Sequence, residues 1–200
     1  MDAVQQMPGL RWAQFQLALL PPATQAEVTA AHEATEQATR LRQFEAFFYA
    51  YERRITGYLC RMTGDDQTGL DLSQETFVQA WKHFDHLNVP AAAKAWLFRV
   101  ATNLALRHIE QQKRFPRASW DESLPGASDP GSRVGLRDSV QRVLALLPPK
   151  QRSVLLLYEI QGLSCAEIGR LLGMSREAVK VALWRGRERF RSEYLREEAE

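Results

Sequence analysis

Apolar residues along this chain recur at helical spacing and almost never alternate as strands require. Phe44, Phe47, Phe48, Tyr51, Ile55, Leu59 and Met62 follow one another mostly at steps of three and four, which predicts one amphipathic helix broken by Gly64 and Asp65. A second helix is expected from about Leu70 to Phe84, burying Val78 and Trp81. A third begins near Ala91, after Asn88-Val89-Pro90, and runs to about Arg114 with Trp96, Leu97, Val100, Ala101 and Leu104 inward. Phe84 and Trp96 read as core, with a role as stacking platforms as the alternative. Three such helices with short connections predict a compact bundle. Periodicity then lapses: FPRASWDESLPGASDPGSRVGLR is rich in Pro, Gly, Ser and Asp and reads as a linker, with Trp120 either docked or simply exposed. It resumes with Val140, Val143, Leu144 and Leu147, in a helix ended by Pro148-Pro149.

GLSCAEIGRLLGMSREAVKVALWR carries the most specific local pattern. Ser164 is placed to cap a helix, Glu167 to complete a capping box, and Leu163 and Ile168 to form a hydrophobic staple. Gly173 suits a left-handed stop, and Ser175 caps a second helix whose Val179 and Leu183 face inward. Helix, glycine-containing turn, helix is a helix-turn-helix. The reading is therefore all-α: two small helical domains joined by a flexible linker, the C-terminal one a helix-turn-helix. The expected boundaries are 1–40 for an N-terminal extension, 41–115, a linker over 116–135, and 136–200. The extension is hard to place. It reads as disordered, with a regulatory or partner-binding role as the alternative.

Charge changes this picture through its distribution. The net charge is +2, yet residues 94–117 carry six basic side chains against one acidic and residues 175–191 six against two. Two basic segments in a nearly neutral chain suggest two anionic contact sites. The second helix of the helix-turn-helix offers Arg176, Lys180, Trp184, Arg185 and Arg187, a set suited to base edges and phosphates of a major groove. Lys94, Arg99, Arg107, Lys113 and Arg114 make the third helix a basic track for a DNA backbone or single strand. Two distant cysteines, Cys60 and Cys165, argue against a disulfide framework or a cysteine zinc site and fit a reducing cytosol. His83 and His86 lack a third ligand and read as polar surface, so neither metal nor cofactor is expected. No apolar run reaches the roughly 20 residues of a membrane span, and no secretory signal is apparent. No catalytic constellation is visible, so an enzyme acting on nucleic acid is disfavoured.

In order, DLSQETFVQAWKHFD, KAWLFRVATNLALRHIEQQKR and LLPPKQRSVLLLYEIQGLSCAEIGRLLGMSREAVKVALWRGRERFR resemble the successive signatures of extracytoplasmic-function (group IV) sigma factors of bacterial RNA polymerase. The resemblance implies that residues 41–115 dock on core RNA polymerase and melt the minus-ten promoter element, and that 136–200 read the minus-thirty-five element. It implies polymerase contacts from Asp71, Leu72, Gln74, Glu75 and Phe77, and minus-ten contacts from Lys94, Arg99, Asn103 and Arg107. The loop His86 to Ala93 would capture a flipped base, at a stacking cost of a few kcal/mol. Minus-thirty-five contacts would come from Arg176, Lys180, Val181, Trp184, Arg185 and Arg187. Val181 and Ala182 depart from the small-polar and arginine residues common there; apolar groups can meet a thymine methyl but cannot read guanine.

One further departure concerns GDDQTGLDLSQETF. Family members place an acidic cluster ahead of the Gln-Glu pair, whereas Thr68 and Leu70 stand here where two carboxylates are usual. Close interfacial charge pairs are worth between about one and several kcal/mol each, so two losses weaken docking about tenfold to a thousandfold. Three explanations stand: compensation by Asp65 and Asp66, a co-evolved polymerase surface, or phosphorylation of Thr68 by a Ser/Thr kinase, which adds about −1.5 to −2 charges. An anti-sigma factor is a further candidate partner. The competing class is a stand-alone helix-turn-helix regulator, which should bind duplex DNA alone as a dimer.

Overall fold

The computed structural model describes residues 22–86, 90–114 and 132–198. Among these the regular elements are helical: α1 (Pro22–Thr63), α2 (Asp66–Lys82), a 3-10 turn (Phe84–His86), α3 (Pro90–Arg114), α4 (Ser132–Leu146), α5 (Pro149–Glu159), α6 (Cys165–Leu172) and α7 (Arg176–Glu198). The all-α expectation holds. Residues 1–21, Trp120 and most of the expected linker lie outside the described residues, while Ser132 to Gly135, assigned to that linker, open α4.

The chain forms two compact units, Met1–Phe47 and Phe48–Glu200. In the first, residues 22–40 are helical rather than disordered as expected. Ala, Glu, Gln and Thr dominate this stretch, and its threonines back-bond within the helix, Thr35 Oγ1 to the Ala31 carbonyl at 2.8 Å and Thr39 Oγ1 to that of Thr35 at 2.9 Å. Phe44 and Phe47 pair at a ring separation of 6.1 Å.

In the second unit, α1 from Phe48 onward, α2 and α3 bury Ile55, Leu59, Met62, Leu72, Phe77, Ala80, Leu97, Phe98, Ala101 and Leu104. Tyr58 is fully buried, edge-on to Phe98 at 5.4 Å, with its hydroxyl 2.8 Å from Thr102 Oγ1. Burial pushes the Tyr58 phenol well up, so it stays neutral and serves as a hydrogen-bonding core residue. Trp81 and Trp96 are half-buried as the stripe required in kind, but Val78 is 53% exposed, contrary to the expected burial. The buried positions of α2 are Gly69, Leu72, Ser73, Thr76, Phe77 and Ala80, which places Val78 on the opposite face. Gly69 sets the approach of α2 to α1: a Cβ there would stand 2.5 Å from Cys60 Sγ and 2.7 Å from its backbone nitrogen.

Helices α4 to α7 enclose Val143, Leu144, Leu147, Val154 to Leu157, Leu163, Ile168, Leu171, Val179 and Leu183. The capping box forms as the sequence predicts. The Ser164 N–H donates to Glu167 Oε2 at 2.8 Å, and the Glu167 N–H to Ser164 Oγ at 3.3 Å. Gly173 ends α6 at φ 65°, and the Ala178 N–H donates to Ser175 Oγ at 3.1 Å to start α7. Hydrogen bonds from Ser164 hold the Glu167 carboxyl below the usual range. A depressed carboxyl contributes stability above its unfolded pKa and loses it as pH falls through the folded pKa. Ser164→Ala is expected to cost about 1 kcal/mol at neutral pH, with a smaller penalty in acid once Glu167 is protonated. Thermal melts of both chains at two pH values test this; a shift that is absent or identical at both would overturn it.

Candidate docking and nucleic-acid surfaces

Helix α2 starts from Asp65, whose Oδ2 accepts the Thr68 N–H at 2.7 Å. The Thr68 hydroxyl and N–H together draw the Asp65 carboxyl below its ordinary value. Thr68 is thus a half-buried first-turn residue, close to the positive end of the helix dipole. Beyond it, Leu70, Asp71, Gln74, Glu75 and Val78 are exposed, with Leu70, Gln74 and Val78 in line at steps of four. Leu72 and Phe77, expected to touch polymerase, are instead buried; Phe77 packs against Phe48 at 4.7 Å between rings. These two side chains hold the helix, and the solvent face is carried by Leu70 and Val78 around the acidic pair. Sequence reasoning assigned Val78 to the core, although its spacing of four from Gln74 and eight from Leu70 places it on their face.

Helix α3 brings Arg99, Asn103 and Arg107 into one exposed row, again at steps of four. Arg114 is paired with Glu110 at 2.6 Å. Lys94 departs from the row: it is half-buried, and its Nζ donates to the Gln161 carbonyl at 3.0 Å. The half-burial of Phe84 and Trp96 makes them partial core, and the His83 ring lies 5.8 Å from Trp96. The loop from His86 to Ala93 is described only in part.

On α7, Arg176, Lys180 and Arg185 are exposed, with Val181 48% and Trp184 64% exposed beside them, while Val179 and Leu183 anchor the opposite face. An exposed tryptophan and valine between cations form a surface of mixed chemistry that suits base edges and methyl groups better than open water. Arg187, expected to meet DNA, is exposed and engages a neighbour within the chain: its Nε donates to Glu159 Oε1 at 2.7 Å and its guanidinium lies 5.2 Å from the Tyr158 ring centre. The Glu159 hydrogen bond raises the Arg187 pKa further. Close to this pair, α4, α5 and α7 line an apolar hollow of about 310 Å³ with Val140, Leu144, Leu155, Leu156, Ile160 and Phe190. Cys60 and Cys165 form no disulfide. Among the described residues no three metal-ligating side chains gather, and no helix is long and apolar enough to cross a membrane.

The described residues thus form helices only, with the exposed carboxylates of Asp71 and Glu75 on α2, Arg99, Asn103 and Arg107 in one row on α3, and a capped helix-turn-helix. Residues 47–115 match Sigma-70 region 2 and residues 137–190 match Sigma-70, region 4. The chain is 31% identical over 194 residues to the extracytoplasmic-function sigma factor SigG of Mycobacterium tuberculosis, covering 82% of this chain and 52% of that protein. It is 30% identical over 165 residues to SigM of the same species, covering 82% and 81%. Among solved structures, the sigma factor RpoE bound to the anti-sigma factor NepR from Bartonella quintana superposes with a TM-score of 0.61 at 19% identity, covering 76% of this chain and 96% of that one, a likeness of fold. The chain belongs to the extracytoplasmic-function sigma factors of the sigma-70 family. It spans about half the length of SigG.

Proposed function

We propose that this chain binds core RNA polymerase through the exposed face of α2 and directs it to promoters, acting in the cytoplasm and without catalysis of its own. The observation that carries this reading is the occurrence, in one chain and in order, of a region 2 segment with the exposed Leu70–Val78 stripe and a region 4 segment presenting α7. Arg99, Asn103 and Arg107 serve the minus-ten element, and Arg176, Lys180, Val181, Trp184 and Arg185 serve the minus-thirty-five element. The domain boundaries follow: residues 41–115 for docking and melting, 136–200 for duplex reading. An anti-sigma protein is a partner that this fold accommodates, as RpoE holds NepR.

Phosphorylation of Thr68 is the favoured control. A phosphate there would sit in the first turn of α2, where the helix dipole favours an anion, and would supply charge beside Asp71 and Glu75. The Asp65 carboxylate, which accepts the Thr68 N–H at 2.7 Å, would repel that phosphate, so the cap and the modification oppose each other. Affinity of the purified chain for core RNA polymerase, unmodified against phosphorylated at Thr68, tests both statements. Tight binding only after phosphorylation supports the switch, and equal tight binding leaves a sigma factor without it. No binding in either form would favour the stand-alone regulator. In cells Thr68→Ala is expected to be inactive and Thr68→Glu partly active without kinase. Full transcription from the alanine chain would end the switch.

A further inference from the structure

Burial of Val179, Leu183 and Gly186 fixes the phase of α7 and turns the opposite face to solvent. On that face, at steps of four, three and four, stand Glu177, Val181, Trp184 and Glu188, all exposed, Val181 to 48% and Trp184 to 64%. Lys180 and Arg185 flank the line on either side. Other glutamates of α5 to α7 are engaged: Glu159 with Arg187, Glu167 with Ser164, Glu193 with Arg196 and Glu197 with Arg142. The Glu177 side chain has no hydrogen bond or ion pair among the described residues. The helix dipole favours a carboxylate in this first turn. That accounts for its charge, but not for its alignment with two exposed apolar side chains.

The geometry points to Glu177 as a specificity-determining residue of the helix-turn-helix, a role that rests on the promoter-binding reading above: its carboxylate accepts from the amino group of a cytosine, while Val181 and Trp184 pack on the methyl groups of nearby thymines. An ionised carboxylate only accepts hydrogen bonds. Guanine and thymine present acceptors in the major groove, and adenine sets the N7 acceptor beside its amino group, so the cytosine N4 amino group is the donor that fits. The thymine methyl is the one apolar group on the groove floor, and it suits the valine and the indole. Four residues advance the helix by about 6 Å, and bases of one strand rise about 3.4 Å per step. The cytosine and the first thymine therefore stand within about two base pairs of each other. Lys180 and Arg185 reach the phosphates on the flanks and offset the repulsion between Glu177 and the backbone.

The test uses the full chain in complex with core RNA polymerase, selecting from synthetic duplexes randomised over the minus-thirty-five segment. The parent is expected to enrich a cytosine close to thymine, at least about fivefold over other bases at that position. Glu177→Gln is expected to move that preference to adenine, for which an amide supplies both acceptor and donor. Glu188→Gln makes the same charge change three turns further on and should leave the preference as it is. With the parent chain, uracil in place of thymine removes only the methyl and should weaken binding about fourfold for each one lost. Should Glu177→Gln fold poorly, the parent's own site still decides: one without the cytosine overturns the role of Glu177. The same preference in parent and Glu177→Gln overturns it too, as does an equal shift in Glu188→Gln. Equal binding of thymine and uracil duplexes overturns the apolar contacts. No enriched site with the parent counts against the promoter reading, and the role of Glu177 falls with it.

Discussion

Asp71→Lys combined with Glu75→Lys is expected to weaken binding to core RNA polymerase about a hundredfold or more. Both carboxylates stand on the exposed face of α2, one turn apart, and their partners within the chain are weak: Gln67 Nε2 donates to Asp71 at 3.2 Å and Gln79 Nε2 to Glu75 at 3.4 Å. With Thr68 and Leu70 uncharged, these two carry most of the charge left on the stripe. Each close interfacial pair contributes between about one and several kcal/mol, and reversal adds repulsion. A combined loss of about 3 kcal/mol corresponds to about a hundredfold in affinity. Neither side chain packs in the core, so the melting temperature should move by no more than a surface substitution does. Equilibrium binding to core polymerase is the measurement. An effect under about threefold in a normally folded variant would place docking elsewhere.

Gly69→Ala is expected to destabilise the protein by about 3 kcal/mol, lowering the melting temperature by about 10 °C. The added Cβ meets Cys60 Sγ at 2.5 Å, its nitrogen at 2.7 Å and its Cα at 2.8 Å. A sulfur can swing aside, but the other two atoms are backbone of α1, so the helices must separate along a seam that buries Leu59, Leu72 and Thr76. Cys60→Ala added to Gly69→Ala should restore only a minor part of the loss, since it removes the sulfur and leaves the backbone. Calorimetry of the single and double variants decides this, and a single-variant shift within about 2 °C would show that the helices yield easily. The same contact bears on the missing acidic cluster: Gly69 is committed to packing, which leaves Thr68 and Leu70 as the positions where charge could be restored.

Local chemistry was largely readable in advance. The Ser164–Glu167 capping box, the Gly173 stop and the Ser175 cap depend on residues within four positions of one another, and each appears as expected. The apolar stripe of Ile55, Leu59 and Met62 and the inward face of Leu97, Ala101 and Leu104 follow from helical period in the same way. Helical phase within α2 was harder. Leu72 and Phe77 share the segment DLSQETF with exposed carboxylates, and only packing against Phe48 and α1 shows which residues turn inward.

The sequence by itself therefore determined the helices from Phe44 to Arg114 and from Val140 onward, the caps of the helix-turn-helix and the resemblance to the family, because these rest on short-range spacing and residue type. The tertiary structure decided which cations are available. Arg187 answers to Glu159, 28 residues away; Lys94 to Gln161, 67 away; and Arg152 to Met62, 90 away. An exposed cation and an engaged one are the same letter in a sequence, and what separates them is a carbonyl or carboxylate that the fold brings from elsewhere.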